Sequence, residues 1–303
     1  MNLQAADLNN NNSKGVSYWS GFLMTIGFAL IGFVISGAVL GIFIKGDVNA
    51  FKNPANANFI RIAQTLTVIV SMFLPAVFAA MMLNKKPFQL LGFTKNIEGS
   101  QVAFTLLIAF TSIIVAGSLG YLTKELPIPA EWKLEFDKLE DSYMEQVGII
   151  MDLKTVGGYL LSLVLIAFLP ALCEEVLFRG GLQNFLTKAT SKPWLSIIII
   201  SILFSLVHFS FYGFIARMFL GIMLGAIFYY TKNIWLSILA HFFNNALAVT
   251  VAFVMTQQGK TMKDAMNEDF SGAYFGLLGI PVLILTFIQL KNISKKNLVI
   301  DQQ

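Results

Sequence analysis

The chain has 303 residues, of which 56% are hydrophobic and only 13% charged. A soluble domain of this length has about twice that charged share, so both a soluble globular fold and general disorder are excluded. A single Cys rules out a disulfide framework or a multi-thiolate metal site. The net charge of +4 does not point to nucleic acid, because the basic residues sit in short segments between apolar runs.

Residues 1–15, with the run Asn9–Asn12, read as a disordered polar tail. Eight apolar stretches follow, at 17–44, 59–84, 101–122, 157–178, 193–211, 214–231, 233–256 and 272–290. Each approaches the roughly 20 residues needed to cross a bilayer. The expected fold class is therefore all-α, a polytopic bundle of about eight transmembrane helices. The first stretch is too long for the core of a cleaved signal peptide.

Lys85, Lys86 and Lys95 follow the second stretch. Arg179, Lys188 and Lys192 lie near the link from the fourth to the fifth. Lys232, Lys291, Lys295 and Lys296 complete the set. With eight spans these all fall on the side of the N-terminus. The positive-inside rule then places both termini in the cytoplasm. The loop 123–156 falls on the outer side and holds four Lys against eight acids, and the loop 257–271 is also acidic. Within 123–156, Trp132, Phe136, Leu139, Tyr143, Val147 and Ile150 recur at three- and four-residue spacing, which predicts an amphipathic helix capping the bundle or gating it. The chain divides into a tail (1–15), N-terminal helices plus the amphipathic loop (16–155), a core (156–255) and a final helix with its cytoplasmic tail (256–303).

Of the 17 acidic residues, 15 lie in loops, tails or helix ends; the exceptions are Glu174 and Glu175, following the apolar run Tyr159–Cys173. An ionised side chain at the bilayer centre costs about 2.5–3.5 kcal/mol on insertion scales. Glu175 and Arg179 are four apart and can pair on one helix face, whereas Glu174 points about 100° away and lacks that partner. Such a carboxylate can serve as a general base or acid.

The only two histidines, His208 and His241, fall in the fifth and seventh stretches. Phe204 shares a face with His208, and Asn245 shares one with His241, at four-residue spacing. Lipid cannot satisfy these groups, so they turn inward and can converge. One carboxylate, two imidazoles and an amide can activate a water and stabilise an oxyanion, as amide hydrolysis requires. Glu174, His208 and His241 could equally ligate a divalent metal such as zinc, with water as fourth ligand. Spacing alone does not choose between these.

The series Glu174-Glu175-Val176-Leu177-Phe178-Arg179, Phe204-x-x-x-His208 and His241-x-x-x-Asn245 resembles the CPBP family of intramembrane proteases, also called Abi or CAAX-protease-like proteins. That family includes the type II CAAX prenyl endopeptidases and bacterial proteins tied to bacteriocin processing or self-immunity. The resemblance spans roughly 155–255. It implies an intramembrane endopeptidase acting on a membrane-associated peptide or protein, in the cytoplasmic membrane of a bacterium. It further implies Glu174 as water-activating base assisted by His208, His241 and Asn245 as oxyanion donors, and supporting roles for Glu175, Arg179 and Phe204. The family carries a metalloprotease label, and a metal-free glutamate mechanism also accords with its motifs. A proton-coupled transporter using Glu174, His208 and His241 as a relay is one alternative. A non-catalytic immunity or scaffold protein is another.

Several neighbours read as structure. Cys173 packs, Arg217 anchors at the interface, and Asn244 points to a different face from Asn245. Gly221 and Gly225 allow close helix approach, and Pro170 kinks its helix. The expected edges leave a mismatch in depth. Glu174 falls ~25 Å from one membrane face and His208 ~22 Å from the other, unless the fourth helix continues past Arg179, where Gly180 and Gly181 oppose it.

Overall fold

The computed structural model describes residues 12–47, 53–151, 153–260 and 273–300. Among these, every extended element is helical: α1 Tyr18–Phe43, α2 Ala57–Leu83, α3 Gly99–Lys124, α4 Ala130–Ile150, α5 Val156–Thr190, α6 Pro193–Leu206, α7 Phe214–Thr231, α8 Ile234–Gln257 and α9 Gly279–Ile300. The polytopic all-α expectation holds. Seven helices are long and apolar enough to cross a membrane, and α6 is shorter. At 14 residues α6 spans about 21 Å. The expected eight spans resolve into seven full ones and this short helix.

Local signals set the boundaries. Ser17 caps α1, accepting from Ser20 N at 3.1 Å. Glu98 and Gln101 form a reciprocal capping box on α3, Thr155 caps α5, and Asn233 caps α8 by accepting from Trp235 N. Each supplies an acceptor for N–H groups that the first helical turn leaves unpaired. Ser191 and Lys232, both in the left-handed region, end α5 and α7 and reverse the chain.

The two ends of the bundle are separately stitched. At one end the N-terminal segment pairs with the turn after α2, through Lys14 N to Leu83 O and Lys85 N to Asn12 O, both at 2.9 Å. Residues 12–14, expected to be disordered, are thus ordered by a ladder with residues 83–85. Residues 1–11 and most of the acidic loop 257–271 lie outside the described residues. The segment after α2 also accepts Asn184 Nδ2 at Leu90 O (2.7 Å) and Ile234 N at Gly92 O (2.9 Å). Gly92 sits at φ +92, a conformation that favours glycine, and a Cβ there would meet the Phe228 ring at 2.5 Å.

At the other end lies α4, the expected amphipathic helix. Phe136 stacks on Phe211 with centroids 4.1 Å apart, Ser210 Oγ donates to Glu140 Oε2 and Tyr212 OH donates to Asp137 Oδ1. Arg61 Nε donates to Ile150 O. The apolar face is only partly covered: Ile150 is buried, while Trp132 and Leu139 stay exposed. The side chain of Tyr143 lies outside the described set.

Helix α5 runs 35 residues without a break. Two π-helical segments interrupt its regular winding, Leu163–Phe168 and Val176–Gln183. The first precedes Pro170, which lacks an N–H and crowds the carbonyl four residues back; the wider π turn accommodates both. Gly180 and Gly181 do not end the helix. A Cβ on Gly180 would meet Leu91 O at 2.8 Å and one on Gly181 would meet the Ala76 and Thr25 side chains at 3.3 Å, so the first glycine admits a neighbouring backbone and the second close side-chain packing. This continuation removes the depth mismatch. Glu174 lies 16 residues before Thr190 and His208 lies 15 after Pro193, roughly 24 and 22 Å from the same turn.

Candidate functional site

Glu174 and Glu175 occupy the α-helical stretch of α5 between its two π segments. Glu175 is fully buried. Its Oε1 accepts from Arg179 Nη1 at 2.7 Å and from His241 Nδ1 at 2.9 Å. Arg179, which the topology count placed among loop cations, is instead 1% exposed in the bundle interior. It also donates through Nη2 to Gly221 O at 3.3 Å, and its guanidinium carbon lies 4.6 Å from the Phe204 ring centroid. The small residues of α7 permit this approach. A Cβ on Gly221 would meet Ser201 at 3.0 Å, and one on Gly225 would meet the Gln183 amide at 2.6 Å.

The buried ion pair therefore has three members. Desolvating Glu175 and Arg179 is costly; their 2.7 Å contact and the bonds to His241 and Gly221 O offset part of that cost, while Glu175 Oε2 and Arg179 Nε stay buried without a hydrogen-bond partner among the described residues. His241 is bound into the same unit. By donating Nδ1–H to Glu175 it fixes its ring and turns Nε2 toward Glu174, 3.8 Å from Glu174 Oε2. That separation is too long for a hydrogen bond. Glu174 Oε2 is buried with no hydrogen-bond partner among the described residues. The expectation that Glu174 would lack the Arg179 partner holds, and the geometry adds what Glu175 does: it orients an imidazole.

His208 is not inside a helix. Helix α6 ends at Leu206, and His208 lies in the following turn, ahead of Phe209 at φ +50. The helix end leaves the Phe204 carbonyl unpaired, and His208 Nδ1 binds it at 2.7 Å. A carbonyl only accepts, so Nδ1 carries the proton and the Nε2 lone pair is available. Phe204 packs edge-on against both imidazoles, with centroid distances of 5.0 Å to His208 and 5.7 Å to His241. It is a spacer between the two rings and the Arg179 guanidinium.

Glu174, His208, His241 and Asn245 all line one cavity of about 370 Å³. The same cavity is bounded by Gln64, by Ile108 and Ser112 of α3, and by Met144 and Val147 of α4. Helix α4 thus forms part of the wall. Two residues read as structural from the sequence also line it. Arg217, expected to anchor at the interface, lines the cavity. Asn244 shares the cavity with Asn245. Comparing Asn244 with Asn245 hid this; measured from His241, positions three and four residues on both stay near its face. Cys173 is buried, in keeping with a packing role.

Among the described residues no three His, Cys, Asp or Glu side chains cluster closely enough to hold one metal ion. As placed, Glu174, His208 and His241 do not form the three-donor set of a catalytic zinc site.

Residues 156–247 match the family described as Type II CAAX prenyl endopeptidase Rce1-like. This segment runs from the start of α5 into α8 and contains all three motifs, so the match bears out the resemblance read from them. At the level of the family it supports a CAAX-type intramembrane protease, that is, a hydrolase. No curated protein and no solved structure matches the chain.

Proposed function

We propose that the chain is an intramembrane endopeptidase that cleaves membrane-associated peptides or proteins with a water activated by Glu174. The observation that carries this reading is that Glu174 lines one cavity with both histidines and Asn245, while its Oε2 has no hydrogen-bond partner among the described residues. Glu175 Oε2 is also buried without a hydrogen-bond partner among the described residues, but only Glu174 of the two carboxylates lines the cavity, where a water or substrate group can reach it.

Glu174 takes a proton from the water while its oxygen attacks the peptide carbonyl carbon. His208 Nε2 accepts the water's other hydrogen bond and holds it in line. The carbonyl oxygen becomes an oxyanion, received by N–H groups of Asn245 and His241. Donation from His241 Nε2 requires a second ring proton. The resulting charge, with Arg179, balances Glu174 and Glu175 to zero. As the C–N bond breaks, Glu174 returns its proton to the leaving amine. Glu175 and Arg179 hold His241 in place throughout. The reading needs no metal, and the chain is placed in a bacterial cytoplasmic membrane with both termini on the cytoplasmic side.

The test compares new peptide termini in membranes of cells making wild-type protein or Glu174→Gln at equal levels. Termini confined to wild type establish proteolysis and name its substrates, and loss of general-base catalysis predicts a fall of about 10²–10⁴-fold in their formation. Equal termini in both samples would refute the reading.

A further inference from the structure

Side chains at adjacent positions of an α-helix point about 100° apart and do not normally meet. Asn244 and Asn245 of α8 do meet: Asn244 Nδ2 donates to Asn245 Oδ1 at 3.3 Å. Both carboxamides lean into the same cavity. Seen from His241, Asn244 lies about 60° to one side and Asn245 about 40° to the other. The two amides therefore flank the imidazole that Glu175 holds.

A carboxamide has an accepting oxygen and a donating nitrogen, and half a turn of its terminal bond exchanges them. For an oxyanion site that exchange is decisive. With nitrogen toward the cavity Asn245 stabilises negative charge, and with oxygen toward it Asn245 repels it. Among the described residues, the bond from Asn244 is the one hydrogen bond to the Asn245 side chain. As the two side chains lie, Asn244 presents its donating Nδ2 to the Asn245 oxygen, and this arrangement leaves the Asn245 N–H groups to the cavity. The flanking wall positions of α8, Ala240, Ala248 and Val249, offer no competing polar side chain.

We infer that Asn244 is a positioning residue: it sets the rotation of the Asn245 carboxamide so that its N–H groups face the reacting carbonyl, a role that rests on the hydrolytic reading of this cavity. Because the oxyanion exists only beyond the ground state, the effect falls on kcat rather than on KM.

The test uses full-length protein in detergent and a synthetic peptide spanning one of the wild-type-specific termini. Asn244→Ala is expected to lower kcat ~10-fold, the worth of one hydrogen bond, with KM nearly unchanged. Asn244→Asp can only accept, so it draws the Asn245 N–H groups away and is expected to cost as much as Asn245→Ala. In an Asn245→Ala background, Asn244→Ala should cost nothing more, since the group it positions is gone. Thermal unfolding midpoints of every variant are measured alongside. Additive losses in the double mutant, a change confined to KM, or losses that track lowered unfolding midpoints would each overturn the inference while leaving the hydrolytic reading intact. Unchanged turnover in both Glu174→Gln and Asn245→Ala would instead remove the hydrolytic reading, and this role with it.

Discussion

Helix α1 turns Gly21, Thr25, Ala29, Gly32 and Ser36 toward the bundle and leaves Leu23, Leu30, Val34 and Ile42 exposed. Helix α5, of nearly equal hydropathy, buries Glu175, Arg179 and Gln183 along with Phe178 and Phe185. The two solve the same problem differently. In lipid the large apolar side chains gain nothing by turning inward, so α1 associates through small residues that let backbones approach, as where a Cβ on Gly32 would lie 2.6 Å from Val70 O. Helix α5 turns inward because its polar groups find partners nowhere else. Size specifies one helix and chemistry the other, and only the second kind leaves a trace that names a function.

The contrast can be broken at either helix. The largest effect on stability is expected at Arg179. Arg179→Ala leaves Glu175 buried without its cation, and loss of one partner from a buried pair costs about 3–5 kcal/mol. A fall in the thermal unfolding midpoint in detergent, with loss of activity, is the expected result. An unchanged midpoint would show that the triad does not hold the core. Next comes Asn245→Ala, expected to slow cleavage ~10²–10³-fold, as removal of an oxyanion donor does, while the unfolding midpoint stays near that of wild type. A loss of substrate binding with normal turnover would assign Asn245 to recognition instead.

On α1 the expected sign reverses: stability suffers and chemistry does not. Gly32→Val forces a branched side chain against the Val70 carbonyl and should cost roughly 1–3 kcal/mol, the usual range for overpacking. The folded fraction should retain wild-type kcat. A change in kcat would link the α1–α2 contact to the cavity. The smallest effect is expected from a zinc chelator, because the described donors do not gather into a three-ligand site. Activity that disappears with chelator and returns with added zinc would restore a metal mechanism.

Much of the candidate site was legible before the fold. The adjacent carboxylates Glu174 and Glu175 stood out because charge inside an apolar run is expensive, and periodicity alone brought Glu175 to Arg179 and Asn245 to His241. Other features were hidden for definite reasons. Nothing in a one-dimensional pattern separates a 14-residue apolar helix from a longer apolar stretch that turns at its end, so His208 was placed on α6 when it lies beyond it. Gly180 and Gly181 looked like helix breakers because propensity is local, whereas what they make room for lies far along the chain, the Leu91 backbone at Gly180 and the Ala76 and Thr25 side chains at Gly181. The π turns of α5 follow from Pro170 and from packing, neither of which changes hydropathy. Arg217 looked like an interfacial anchor because it opens α7, and nothing in the one-dimensional pattern shows that the cavity reaches that end of the helix.

By itself the sequence determined the all-helical membrane class, the order of the apolar segments and the polar residues that could not face lipid. These follow from transfer free energies, which are summed residue by residue and need no partner. Tertiary structure alone decided that Glu175 serves Arg179 and His241 together, that Glu174 lines a cavity without a hydrogen bond to its Oε2 among the described residues, and that α4 walls that cavity with Met144 and Val147. Those are choices among partners brought close by folding. Hydrogen bonds extend about 3 Å, and no pattern along one chain states which groups come within that reach.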